Sequence, residues 1–300
     1  MTISAAPITG PSPARLAWFQ IHGVNVAVLS DVAAGLDAVS RSYASFAIPA
    51  DGRPASEAAR VSAHAVDGRF RLTDHRGAVS TAPTEAAVAL GLLDLVVSTV
   101  LDRLGARGIV GTHAGVVAIE DRAILLAGRS GRGKSTLTLG MIRRGATWLS
   151  DEVALVAPDD RTVLPYPRSM HVSPATAALL PELAFLATRP RHDLGGGSEW
   201  SVTPADLSAA FGTSVAGPTP LGLIVLLDGD PEPGAEPDMR PVSSAIAAIE
   251  LVRGTPAAVA DFAGALRRLT GIASRVPAVR LRTGDLDRTA QVVQERLQSR

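Results

Sequence analysis

Two short apolar runs, residues 16–21 and 24–29, flank His22-Gly23 and predict a β-hairpin near the start of the chain. Asp31 is expected to cap a helix that runs to about Ser42. Residues 69–73 and 78–81 read as strands on either side of a turn at Asp74-His75-Arg76-Gly77. These elements make a small, strand-rich N-terminal unit over residues 15–82, preceded by a frayed tail at residues 1–14. Pro83 suits a first helical position, and the long apolar run that follows it ends at Gly105, which predicts a helix over residues 84–104.

From there the pattern changes to alternating strands and helices within one domain, residues 83–300, whose C-terminal part is helical. Residues 109–119 and 123–127 read as a hairpin around Glu120-Asp121-Arg122. Its second strand feeds a glycine-rich loop, and a helix runs from Lys134 to a stop at Gly145. Strands are expected at 147–150 and 153–156, an irregular segment at 165–167, and a short helix at 174–180. Residues 189–200, with Gly195-Gly196-Gly197, read as a mobile loop that could hinge a lid. Residues 221–227 form a continuous apolar run expected to be a buried strand, and 228–238 a solvated acidic loop. Helices at about 243–252 and 256–269, a strand at 278–281 and a helix at 285–297 complete the chain.

Composition narrows the function by exclusion. Formal net charge is zero over 300 residues, and only 4% are aromatic, so neither a nucleic-acid surface nor an anionic membrane is favoured as a partner. The chain has no cysteine, which removes disulfides, thiolate metal sites and cysteine nucleophiles and fits a cytoplasmic location. The N-terminus lacks a basic stretch followed by an apolar run, and the most apolar segment, residues 86–101, is broken by Asp94 and is too short to span a bilayer.

The chemistry concentrates in Gly128-Arg129-Ser130-Gly131-Arg132-Gly133-Lys134-Ser135, which fits the phosphate-loop pattern G-x-x-x-x-G-K-[ST] in full. Lys134 is the only lysine, against 28 arginines. A compact ammonium is therefore kept at the one place where it must reach between phosphates, a task that suits guanidinium poorly. Glycines 128, 131 and 133 let successive backbone N–H groups face inward as an anion nest, and the following helix adds its positive end. Asp151-Glu152 lies at a strand end 17 and 18 residues beyond Lys134, where such folds place acids that hold Mg²⁺ or take a proton. Adjacent acids on an extended segment point to opposite sides, so both reach one site only if the strand breaks. His113, on the preceding hairpin, is a candidate to tune a catalytic acid.

The segment from His113 to Glu152 resembles the catalytic core of the HPr kinase/phosphorylase family. His113 stands 15 residues before Gly128, Ser130-Gly131 matches the family's inner S-G, Arg144-Gly145 matches its helix end, and Asp151-Glu152 its acidic pair. The resemblance implies an α/β fold with a P-loop kinase core of the HPr kinase/phosphoenolpyruvate carboxykinase type. It also implies ATP- and Mg²⁺-dependent transfer of a phosphoryl group to a Ser or Thr hydroxyl of a peptide or small protein. By it, residues Gly128, Arg129, Ser130, Gly131, Arg132, Gly133, Lys134, Ser135 and Thr136 bind the nucleotide, with Lys134 on the phosphates. Ser135 and Glu152 bind the metal, Asp151 is the base on the acceptor, and His113 positions it; the two acids could exchange roles, which makes Asp151 a candidate metal ligand too. The family often forms hexamers, so a homo-oligomer is compatible. Three departures stand out: Thr136 replaces an acid, Glu152 replaces an aspartate, and the family's Glu- and Arg-Gly-containing signature is absent some forty residues past the lysine. The similar Ile249-Glu250-Leu251-Val252-Arg253-Gly254 falls far too late and reads as a coincidental helix end. Arg168, Arg189, Arg191 and His192 could contact phosphate or an acidic acceptor, but in an arginine-rich chain they read first as surface groups. A kinase of small-molecule alcohols and a nucleotide-binding regulator with little turnover are the alternatives.

Overall fold

The computed structural model describes residues 13–49, 52, 57–157, 161–193, 197–229, 234–255 and 261–299. The chain divides into two compact units, Met1–Arg103 and Leu104–Arg300. The first contains strands β1 (Arg15–Ile21) and β2 (Val24–Ser30), helix α1 (Ala33–Ser42), and strands β3 (Ala59–Val66), β4 (Arg69–Thr73) and β5 (Val79–Ala82). They form one sheet in the order β1-β2-β3-β4-β5, antiparallel except where β2 runs beside β3. The hairpin turns through His22 and Gly23, both at positive φ. Strand β3 has no counterpart in the hydrophobic pattern. Asp31 does not cap α1, whose N-cap Val32 has no side-chain bond. Its carboxylate instead accepts from the backbone N–H of Ala65 at 2.9 Å, tying the start of α1 to β3.

Helix α2 (Glu85–Gly105) groups mostly with this first unit, whereas the hydrophobic pattern placed it at the start of the second. Packing explains the difference. A Cβ at Gly35 would stand 2.9 Å from Val88 and 3.1 Å from Leu92, and one at Gly91 would overlap Leu72. His75 reinforces the contact through Asp102 at 2.9 Å.

The second unit has strands β6 (Val110–Ile119) and β7 (Arg122–Ala127), helix α3 (Lys134–Arg143), then β8 (Thr147–Ser150), β9 (Val153–Ala157), β10 (Thr162–Leu164) and β11 (Met170–Val172). Helix α4 (Pro174–Ala178), β12 (His192–Asp193), β13 (Ser198–Val202) and α5 (Pro204–Phe211) follow. Then come β14 (Thr219–Leu227), β15 (Asp238–Pro241), α6 (Ser244–Arg253), α7 (Phe262–Arg275), β16 (Ala278–Arg282) and α8 (Leu286–Gln298). The main sheet runs β10-β9-β6-β7-β14-β16-β15, with β8 also on β6. β14 lies parallel to both β7 and β16.

The alternation along β6 and β7 separates two cores. Val117, Ile124 and Leu126 face one side with Leu137 and Met141 of α3 and Val293 of α8. Val116, Ala118 and Leu125 face the other with Leu251 of α6 and Leu269 of α7. The sheet is thus covered on both faces, which is why its central strands are almost continuously apolar. Residues 189–200, expected as a mobile loop, instead contain a short antiparallel pair, β12 with β13, and residues 194–196, which include Gly195 and Gly196, lie outside the described residues. Residues 1–12 of the tail, 256–260 of the expected helix and 230–233 of the acidic loop lie outside them as well. Helix α7 begins later and runs further than the pattern predicted. Among the described residues no helix is long and apolar enough to cross a membrane.

Candidate functional site

The glycine loop joins the end of β7 to α3, so the chain leaves a central strand and turns directly into a helix. Gly131 (φ 79°) and Gly133 (φ 86°) occupy the left-handed region, which a side chain would strain. Gly128 is needed for space instead. A Cβ there would lie 3.0 Å from both the Cβ and the carbonyl oxygen of Leu227, at the end of β14. Lys134 is 7% exposed, and its Nζ donates to the carbonyls of Gly128 (2.9 Å) and Arg129 (3.2 Å). Burial pushes its pKa down, opposed by the charges of Asp151 and Glu152.

β8 and β9 both pair antiparallel with β6, Ser150 opposite Val116 and Val153 opposite His113. Asp151 and Glu152 bulge out between them, and the bulge is closed by the Ser150 hydroxyl, which donates to the carbonyl of Val153 at 2.7 Å. This is the strand break that adjacent acids require in order to reach one site. Both line a cavity of about 360 Å³ with His113, Lys134 and Ser135. Gly115 lets the bulge approach α3: a Cβ there would stand 2.5 Å from the Thr138 hydroxyl and 3.6 Å from Asp151 Oδ1.

The two acids have different surroundings. Asp151 is 8% exposed and its Oδ2 accepts from the Ser135 hydroxyl at 2.8 Å, while its Oδ1 is buried without a hydrogen-bond partner among the described residues. Burial raises its pKa to about 6, and Glu152 adds to the rise, while Ser135, Lys134 and Arg168 oppose it. Glu152 accepts a close charge-assisted bond from Arg168, a residue expected at the surface but 4% exposed in the fold. No local pattern marks Arg168; it reaches Glu152 because the chain returns from β10 toward β11 beside the bulge. His113 Nδ1 lies 2.9 Å from the backbone carbonyl of Glu152, so this nitrogen carries the proton and Nε2 is left as an acceptor when the ring is neutral. Burial, and next the charge of Lys134, lower the His113 pKa and favour that neutral form. The histidine thus braces the bulge through the backbone and does not touch either carboxylate.

Thr136 Oγ1 bonds to Thr176 Oγ1 at 2.7 Å, tying the loop's helix to α4. His171 and Glu199 also line the cavity, from β11 and β13, and were not singled out in the sequence because neither lies in a motif. Arg189 binds Asp206 through two bonds of 2.8 Å, and Arg191 stacks over Trp200; neither is among the residues that line the cavity.

The 249–254 segment is a helix end, as expected, the close of α6 at Arg253 and Gly254, but it is not unrelated to the site, because it sits against Thr112 and His113. The His113 backbone N–H donates to the Gly254 carbonyl at 2.7 Å, and the Thr112 hydroxyl donates to the Leu251 carbonyl at 2.7 Å. Sequence distance hid this, because β6 and α6 are brought together only by the folded sheet. A Cβ at Gly254 would stand 2.7 Å from the Thr112 hydroxyl and 3.2 Å from the His113 nitrogen. Gly254→Ala is therefore expected to cost about 1–3 kcal/mol by overpacking, lowering the melting temperature by several degrees in a thermal melt.

No family model matches the chain, and no curated protein matches it. Among solved structures, the Hpr(Ser) kinase/phosphatase from Coxiella burnetii is similar to it, with 16% identity over 63% of this chain and 97% of that one, at a TM-score of 0.31. The relationship is distant, so function has to be sought in the geometry of the site itself.

Proposed function

We propose that the chain is an ATP-dependent phosphotransferase acting on a Ser or Thr hydroxyl of a peptide or small protein. The observation that carries this reading is the contact between Ser135, next to Lys134 on the glycine loop, and Asp151, a buried acid whose pKa is pushed up to about 6. A loop that only gripped phosphate would need no such acid. Lys134 and the loop N–H groups bind the phosphates: the Gly128 and Arg129 carbonyls take two of the ammonium's three donors and the third is left for phosphate.

The donor set fits a hard divalent cation. Ser135 donates its hydrogen to Asp151, which leaves its oxygen lone pairs free, and the unpartnered Asp151 Oδ1 and the Glu152 carboxylate stand beside it. Ser135 and Glu152 would hold Mg²⁺, with Asp151 alongside; when bound, the ion offsets the charge on the phosphate oxygens. Asp151, ionised above about pH 6, accepts the proton of the attacking hydroxyl. His113 and Arg168 fix the bulge that presents it. An adjoining cavity of about 440 Å³ at the helix end of the loop, sharing Gly131, Gly133 and Thr136 with the first and lined also by Leu137, Thr283 and Leu286, suits the nucleoside.

Incubating the protein with γ-labelled ATP, Mg²⁺ and Ser- or Thr-containing peptides tests the proposal, with Lys134→Ala as the control. Label should pass to peptide only with the wild type. Tight ATP binding with no label in any acceptor would leave a nucleotide-binding regulator as the better description.

A further inference from the structure

The glycine loop opens on a second cavity, larger than the catalytic one, at its strand end. It measures about 770 Å³ and is lined by His113, Arg129 and Ser130 on one side and by Glu250 and Arg253 of α6 on the other. Lys134 Nζ stands over the carbonyls of Gly128 and Arg129, so the ammonium that meets the terminal phosphates points them toward this end. The cavity suited to a nucleoside lies at the helix end, around Gly133, Thr136 and Leu137. In-line displacement needs the incoming oxygen opposite the leaving one. With the nucleoside at the helix end, the acceptor comes from the strand end. The two cavities there share His113 and Ser130, so a hydroxyl at their junction reaches the site that holds Asp151.

What lines the mouth indicates the acceptor's chemistry. At 100° per residue, Ile246, Ile249, Glu250 and Arg253 fall within one arc of α6, while Ala247, Ala248 and Leu251 on the opposite arc are buried. Ile249 is 53% exposed, and Arg253 carries one exposed guanidinium that pairs with Glu250 at 2.8 Å. The rim therefore joins two cations, Arg129 and Arg253, to an apolar strip one turn further along the same helix face. A small alcohol would fill the cavity and leave that strip unused.

We infer that the peptide acceptor docks along α6: its Ser or Thr side chain enters between the glycine loop and α6, an adjacent acidic residue meets Arg129 and the rim of Arg253 beside Glu250, and apolar residues further along lie on Ile246 and Ile249. This rests on the phosphotransfer reading above. In the step itself the hydroxyl oxygen bonds to the γ-phosphorus as the bond from that phosphorus to the bridging oxygen breaks. The bonding pair leaves with ADP, and the hydroxyl proton passes to Asp151.

The test uses the full chain, γ-labelled ATP, Mg²⁺ and an oriented library of synthetic peptides with one central serine, with labelled products sequenced by position. The wild type should select Asp or Glu beside the serine and Leu or Ile further away. Arg253→Glu should turn the acidic preference toward Lys or Arg, with a change of about tenfold or more in relative labelling. Ile249→Asp should abolish the apolar preference and leave the acidic one. Both positions are on an exposed helix face, so thermal melting and ATP titration should match the wild type within about twofold in affinity. Unchanged selection in both variants overturns the proposal, as does label reaching free serine or glycerol as readily as peptide. Failure of the wild type to bind ATP, or ATP binding with no label in any acceptor, would instead bring down the phosphotransfer reading, and this proposal with it.

Discussion

Lys134→Arg is expected to weaken nucleotide binding about as severely as Lys134→Ala, by on the order of 10³-fold. The position asks for a compact cation. Lys134 is buried beneath the loop, and its ammonium fits between the Gly128 and Arg129 carbonyls at 2.9 and 3.2 Å. A planar guanidinium with a rigid fork of donors is too wide for that slot. Removing a charge-assisted phosphate contact in a partly desolvated site costs about 3–4 kcal/mol by analogy with single-donor losses elsewhere, and 1.36 kcal/mol corresponds to a factor of ten. Stability should respond much less to the alanine change, because burial already disfavours the charged lysine. Removing it also takes away one of the charges that hold the Asp151 pKa down, so Asp151 should titrate higher in the alanine variant. Titration with a fluorescent ATP analogue, beside thermal melts, measures both effects. An arginine variant that binds ATP within tenfold of the wild type would show that a guanidinium also fits the slot, and the chain's lone lysine would then need another cause.

Asp151→Asn is expected to lose activity and gain stability. The folded pKa of Asp151 lies at about 6, above its ordinary 3.8, because burial penalises the carboxylate. The folded state therefore holds the proton more tightly than the unfolded state does. The stability tied to this group is complete below about pH 4 and is lost as pH rises through about 6. Asparagine keeps an oxygen to accept from Ser135 and never ionises. At pH 7–8 the variant should be more stable by on the order of 2–3 kcal/mol, equivalent to a melting temperature several degrees higher, whereas at pH 4 the two proteins should melt together. Activity runs the other way. Wild-type kcat/KM should rise as pH passes through about 6, as Asp151 becomes the ionised base. The variant should lie about 10²–10⁴-fold lower across the range. A wild-type profile that is flat between pH 5 and 8, or an asparagine variant less stable than wild type at pH 8, would contradict the assigned role.

The loop and its partners were legible because their signals are local. Gly131 and Gly133 mark turns that only glycine adopts readily, the apolar run of β7 marks a buried strand, and one lysine in an arginine-rich chain marks the start of the helix behind the loop. The spacing of His113, Lys134 and Asp151-Glu152 is also a property of consecutive strands and one helix, so it survives as a pattern in one dimension. Strands β3 and β11 were not legible. Ala59–Val66 mixes Ala, Ser and His with Val, and its register is decided by β2 and β4 on either side. Helix α2 was recognised as a helix, but its place among the elements depends on Gly35 and Gly91, whose only signal is an absent side chain.

The amino-acid sequence by itself determined the glycine loop, the helix behind it, the hairpin before it and the identity of the acids nearby, since each follows from backbone freedom and short-range periodicity. Only the tertiary structure decided what each of those acids touches. The bulge between β8 and β9 turns both toward the loop, Ser135 reaches Asp151, and Arg168 takes Glu152. Likewise the end of α6 closes on β6 through two hydrogen bonds, from the Thr112 hydroxyl to Leu251, 139 residues away along the chain, and from the His113 N–H to Gly254. Burial, charge pairing and close approach depend on distance in space, and neither composition nor spacing along the chain encodes it.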